Sequence, residues 1–185
     1  SITGDIAVTS VFIPIKRDGK MVGIMGSDLK LDYLQKIVDK YTSKEEGIYS
    51  IIIDGDGNVI AHPDKTKVSE LYNYQTLEKE VKVLDKDGNP KLDKDGNHIT
   101  KKEKIEVADG YLKAIEKSKN GDIGALEVKE DGKKVTVAYS PISLPGFSND
   151  WHVLTVQSDS KAKNFLLEVV KYIVITTLLI MIIIF

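Results

Sequence analysis

Hydrophobic residues come first in short, β-branched runs broken by Asp-Gly and Asn-Gly pairs. Residues 5–14 (DIAVTSVFIP) and 20–29 (KMVGIMGSDL) are such runs, joined through Lys16-Arg17-Asp18-Gly19. An Asp-Gly between two of them is a strong hairpin signal. Spacings of three and four then connect Leu31, Leu34, Ile37, Val38 and Tyr41, which predicts an amphipathic helix. Ile48–Ile53 and Val59–Ala61 flank Asp54-Gly55-Asp56-Gly57-Asn58, a second hairpin. The stretch 64–82 is irregular, with short helical turns expected near Leu71 and Leu77. Residues 111–119 read as a helix stopped by Asn120-Gly121. Runs at 124–128 and 134–139 surround Asp131-Gly132 as a third hairpin. A loop with Pro141, Pro145 and Gly146 precedes a strand at Trp151–Val156.

Beyond Gly146 neither glycine nor proline occurs as far as Phe185. A helix capped by Asp159 or Ser160 should therefore run on without a break. From Tyr172 to Phe185 every residue is apolar, aromatic or threonine. Fourteen helical residues reach about 21 Å, short of the roughly 30 Å of a hydrocarbon core. The run is strongly favourable in a bilayer, with Lys171 at the interface beside Tyr172. A truncated transmembrane span is the stronger reading, and a buried amphipathic helix is the alternative. Both ends look cut, since the chain opens on Ser1 without an initiator methionine. Hairpins outnumber crossovers, so the fold class is α+β: an antiparallel sheet with flanking helices, followed by a C-terminal transmembrane helix.

Composition narrows the function. At 185 residues, 42% hydrophobic and 29% charged, the chain should fold around a core. Twenty-six basic against 28 acidic side chains argue against a nucleic-acid partner. Without cysteine there is no disulfide scaffold, thiolate metal site or cysteine nucleophile. Arg17 is the single arginine, so bidentate capture of a carboxylate has one candidate. The serine-hydrolase elbow, zinc-protease, phosphate-loop and dinucleotide signatures are all missing. His62, His98 and His152 lack the short paired spacings of a metal site. The sequence therefore predicts no catalytic residue, no metal and no cofactor.

Two features carry candidate chemistry. Asp85-Lys86-Asp87-Gly88-Asn89 repeats as Asp93-Lys94-Asp95-Gly96-Asn97. Its glycine falls at position 4 rather than 6 and no glutamate sits at position 12, so exposed turns of an inserted hairpin are expected rather than a calcium loop. Asp28 ends an apolar strand after Gly23-Ile24-Met25-Gly26-Ser27. It either caps the helix starting near Leu31 or holds a ligand ammonium at a cavity edge. His62-Pro63-Asp64 closes the second hairpin, because proline cannot continue a ladder.

Three blocks then bear a family resemblance. IYSIIIDGDGNVIAHPD at 48–64 resembles the opening of the membrane-proximal module of bacterial double Cache sensor domains, which are PAS-like. MVGIMGSDLKLDYL at 21–34 resembles the closing strand and helix of the membrane-distal module. Lys134–Val156, with VAYSPI followed by Trp151-His152-Val153-Leu154, resembles the last strands of the proximal module. The resemblance implies a distal remnant at 1–44, a proximal module at 45–159 with an insertion near 83–104, and a helix entering the membrane at 160–185. It further implies the extracytoplasmic sensing domain of a chemoreceptor, non-enzymatic, in the cell membrane with residues 1–160 outside. Its partners would be an amino acid or organic acid at the distal module, the lipid bilayer, and a second copy in a homodimer. Asp28 matches the family position that grips a ligand ammonium, while the upstream carboxylate-gripping cluster would precede Ser1. Alternatives are the sensor domain of a histidine kinase or diguanylate cyclase, or a ligand-free spacer or adhesion module.

Overall fold

The structure, a computed structural model, describes residues 2–3, 6–144 and 149–184. Ser1, Phe185, and Pro145 and Gly146 of the expected loop lie outside the described residues. In chain order the elements are β1 (Ile2–Thr3), β2 (Ile6–Arg17), β3 (Lys20–Lys30), α1 (Asp32–Lys40), β4 (Ile48–Ile53), β5 (Val59–Ala61) and α2 (Thr66–Ser69). There follow β6 (Glu78–Lys82), β7 (Thr100–Lys104), α3 (Asp109–Lys119), β8 (Gly124–Glu130), β9 (Lys133–Ile142), β10 (Trp151–Ser158) and α4 (Asp159–Ile184). All strand pairings are antiparallel, as the hairpin signals predict.

β1, β2 and β3 form a small sheet. Its β2–β3 turn has Asp18 at φ 52° and Gly19 at φ 76°, so both central residues are left-handed, the backbone that a two-residue hairpin requires. Asp131 (φ 48°) and Gly132 (φ 78°) repeat this between β8 and β9. Val11 and Phe12, which point to opposite faces of β2, are both exposed, as are Ile24 and Met25 on β3. The ribbon is apolar on both sides.

The main sheet has the order β5-β4-β10-β9-β8. Its inner strands are buried on both faces where Ile51, Ile52 and Ile53 follow one another, the continuous apolar pattern of two-sided burial. One face packs Ile51, Ile53, Val137, Leu154 and Val156 against Tyr111, Ala114 and Ile115 of α3. The opposite face buries Ile52, Ile60 and Ala61 under Leu31, Leu34 and Val38. α1 and α3 thus seal the sheet with the residues that their 3–4 spacing brings to one side.

One stretch differs from expectation. No helix forms at Leu71 or Leu77; α2 ends before them, and both take left-handed backbone at φ 47° and φ 56°. At Leu71 this closes a Schellman cap: the Leu71 N–H donates to Val68 O at 3.2 Å and the Tyr72 N–H to Lys67 O at 3.0 Å. Leucine at such a position is under strain, so tertiary packing overrides local preference there. The paired turns stand, as expected, exposed at the end of an inserted hairpin, the β6–β7 ribbon. Val83 N donates to Ile99 O, Ile99 N to Lys91 O and Lys91 N to Val83 O, at 2.8, 2.9 and 2.8 Å, a closed ring of main-chain bonds. Asp54-Gly55-Asp56-Gly57-Asn58 proves to be a third copy of the same turn. In all three the leading aspartate Oδ1 accepts the N–H groups two and four residues on, at 2.8–3.0 Å.

α4 begins at the residue after β10, with Thr136 Oγ1 donating to Asp159 Oδ1 at 3.2 Å. Leu166, Tyr172, Ile175, Leu179 and Met181 are exposed, so the described part of α4 is not tucked into a core. Among the described residues no helix is long and apolar enough to cross a membrane.

Candidate functional site

Asp28 lies on β3 opposite Ser10 of β2, whose Oγ donates to Asp28 Oδ1 at 2.6 Å. It is exposed and does not cap α1, whose first turn follows Leu31 without a side-chain cap. Its carboxylate keeps a free oxygen on the sheet surface. Arg17 sits at the far end of the same hairpin, so the structure does not bring the two together.

A larger concavity opens on the α3 side of the main sheet, with a volume of about 400 Å³. Lys67, Tyr72 and Tyr74 form one wall, Glu106, Val107 and Ala108 a second, and Tyr111, Glu130 and Asp131 the rest. Four separate segments therefore meet there. α2 presents Lys67, and the strained Leu71 turns the chain so that Tyr72 folds back towards it. Lys67 Nζ lies 6.0 Å from the Tyr72 ring centre and donates to Tyr74 Oη at 3.4 Å. Lys79 Nζ stands 5.4 Å from the centre of the same ring and pairs with Glu70 at 2.6 Å.

Tyr74 and Tyr111 meet edge to face, with centroids 6.5 Å apart. Tyr111 Oη is 2.9 Å from Tyr49 Oη, which donates to Glu130 Oε2 at 3.3 Å. A carboxylate only accepts, so the proton order is Tyr111 to Tyr49 to Glu130. Burial pushes the Tyr49 phenol up to about 12, with Glu130 adding to the rise. Burial likewise raises Tyr74 and Tyr111, the latter further through Tyr49. All three phenols stay protonated at neutral pH; Tyr111 and Tyr49 donate along this chain, and Tyr74 Oη accepts from Lys67.

His62 lies behind this wall, its ring 6.0 Å from that of Tyr49. Its Nδ1 accepts the Asp64 N–H at 2.8 Å, so the proton of the neutral ring sits on Nε2, which is buried without a partner. Burial first, and then Lys67, pulls its pKa down to about 4. His152 is buried on β10, with Nδ1 2.9 Å from Ser118 Oγ and Nε2 also unpartnered. Burial first, then Lys119, lowers its pKa. His98 is far off in the inserted ribbon, in a bridge with Leu92. Among the described residues no three His, Asp or Glu side chains gather as a metal site. A second hollow, about 330 Å³ and mostly apolar, lies between Ile37, Tyr41, Ile48 and Val153 on the α1 face.

Residues 3–164 match the family model described as Cache domain. The chain belongs to the Cache-domain family. This is the family that the three sequence blocks resemble. Its curated relatives include the methyl-accepting chemotaxis proteins PctB of Pseudomonas aeruginosa, 33% identical over 73 residues, and McpC of Bacillus subtilis, 32% identical over 85. These matches cover 37% and 45% of this chain but 11% and 13% of the relatives. Among solved structures, the extracellular domain of the candidate histidine kinase mmHK1S-Z3 superposes with a TM-score of 0.57 at 20% identity, over 88% of this chain and 48% of that one. The Cache chain thus spans about half of that domain and about a tenth of the curated receptors. The α+β Cache fold is common to them.

The cavity was not visible in the sequence. Its residues run from Lys67 to Asp131 and no short motif joins them. The one local signal was Lys67 followed by Tyr72 and Tyr74, a cation and two aromatics inside a stretch read as irregular.

Proposed function

We propose that this Cache chain is the extracytoplasmic sensing region of a transmembrane chemoreceptor. It would bind a small amino acid or organic acid at the distal module, where Asp28 contacts the ligand ammonium, and pass the bias inward through α4. The observation that carries the reading is the junction between β10 and α4: the central strand of the Cache sheet becomes, with no residue between, a helix of 26 residues whose apolar side chains face outward. The run from Tyr172 to Phe185, apolar, aromatic or threonine throughout, is the part that would enter the bilayer. Thr176 and Thr177 turn their hydroxyls onto the Tyr172 and Ile173 carbonyls at 2.8–2.9 Å, which satisfies them where no water is present. The doubly apolar β2–β3 ribbon fits a strand pair that the rest of a distal module covers. Two copies side by side would let the helices move against each other. A histidine-kinase output is the second reading, favoured by the fold shared with mmHK1S-Z3.

Topology provides the test, and since residues 1–185 hold no cysteine, labelling is read against the same protein without the new one. Lys94→Cys, in an exposed turn of the inserted ribbon, is introduced into the full-length protein and intact cells are treated with a membrane-impermeant maleimide. Labelling before lysis is expected. Labelling only after lysis would overturn the extracytoplasmic assignment.

A further inference from the structure

We propose that the tyrosine-walled cavity of the main sheet is a ligand site in its own right, distinct from the Asp28 region, and that it takes a small zwitterion of the α-amino-acid type. This rests on the reading of the chain as a sensing region.

The argument is one of uncompensated charge. Lys67 is half-buried and, among the described residues, has no carboxylate within ion-pair distance; it donates to the neutral Tyr74 hydroxyl at 3.4 Å. Glu130 is half-buried as well and is held by a phenol rather than a cation. Glu106 and Asp131 add two more carboxylates to the lining, both exposed and, among the described residues, without an ion pair. Opposite charges that share a cavity but do not neutralise each other leave a positive and a negative pole. Tyr74 and Tyr111 line the same cavity with their rings edge to face.

A zwitterion matches all of this. Its carboxylate accepts from Lys67, its ammonium is taken by Glu130 and Glu106, and the tyrosine rings border its aliphatic part and favour the cation. About 400 Å³ is the scale of a small-ligand pocket and exceeds one amino acid, which leaves room for a side chain or bridging water. A simple anion would meet more carboxylate than ammonium. A plain amine would leave Lys67 unanswered. Phosphate compounds find neither an arginine nor a glycine-rich cradle here.

The test uses the full chain in detergent micelles. The proteinogenic L-amino acids are screened by thermal shift and calorimetry, with putrescine as the amine lacking a carboxylate and propionate as the carboxylate lacking an amine. At least one amino acid should bind, and neither control should. Lys67→Met and Glu130→Gln should each weaken that binding about tenfold to a hundredfold, the usual range for a hydrogen bond to a charged group. Lys94→Gln, in the exposed inserted ribbon, should leave it unchanged, and Asp28→Asn tells this site from the distal one. Circular dichroism verifies folding, and Lys67→Gln stands in if Lys67→Met fails to fold. The amide resonances of Ala108 and Asp131 should move on titration. The proposal is overturned if no amino acid binds, or if putrescine binds as tightly. It is overturned too if binding is lost in Asp28→Asn but survives both cavity variants; that result would spare the sensing reading. The topology experiment addresses the sensing reading separately.

Discussion

Acidification should weaken this fold well above the range where carboxylates titrate, and His62 is the reason. Its folded pKa of about 4 lies below the ordinary histidine value of 6.5. Between those values the unfolded chain binds the proton and the folded chain does not, so stability rises with pH across the window. The contribution is complete above about pH 6.5, falls progressively as the pH drops towards 4, and is then exhausted. A shift of this size has a ceiling of roughly 3 kcal/mol, and the linkage relation gives about 2 kcal/mol already lost at pH 5. The physical cost is that of placing a charge on a ring 6% exposed, whose Nδ1 is committed to the Asp64 N–H and whose other flank meets Lys67. Asp64, held below its ordinary 3.8 chiefly by the Thr66 N–H, loses its own contribution only at lower pH and stays outside the window. His152 is lowered in the same sense, so the parent protein alone does not isolate the effect. His62→Asn does, because Asn Oδ1 can still accept the Asp64 N–H but no group titrates. Urea denaturation of both proteins at pH 7.5 and 5.0 is the assay. The parent should lose about 2 kcal/mol more than His62→Asn over that interval. Equal losses would refute the assignment.

Gly110→Ala should destabilise although alanine favours a helix by about 1 kcal/mol, because a Cβ there meets Val128, with Cγ1 at 2.7 Å and Cβ at 2.9 Å. A net loss of about 1–2 kcal/mol in urea melts is expected, partly relieved by adding Val128→Ala, and a stabilised single variant would show that α3 does not approach β8 so closely. Asn73→Ala removes a side chain that donates to Asp56 O and Asn58 Oδ1 and accepts from the Gln75 and Thr76 N–H groups. It should cost about 1–3 kcal/mol by thermal unfolding, and an unchanged melting temperature would mean that the turn around Gly57 holds without it. Two glycines inserted after Asp159 should leave ligand affinity intact while abolishing the response of the full-length receptor, measured as output against ligand concentration. An undiminished response would exclude a rigid β10–α4 relay.

The local features of this Cache chain were legible in its residues because their causes are local. Asp18-Gly19 and Asp131-Gly132 make their turns since those residues tolerate left-handed backbone. Leu34 and Val38, or Tyr111, Ala114, Ile115 and Ser118, reach one side of a helix by spacing alone. The passage from β10 into α4 was readable from the lack of any glycine or proline there. The Asp28 environment was half legible: its strand was foreseen, its Ser10 partner was not, since a cross-strand neighbour depends on register. Tertiary structure alone decided the rest. Only pairing between distant strands puts β10 at the centre of the sheet, and only packing holds Leu71 and Leu77 in conformations that leucine avoids by itself. The cavity belongs to the same class. Tyr49, Lys67, Tyr111 and Glu130 carry no shared signal in sequence, and they come together only because the folded sheet brings their charges and phenols around one cavity.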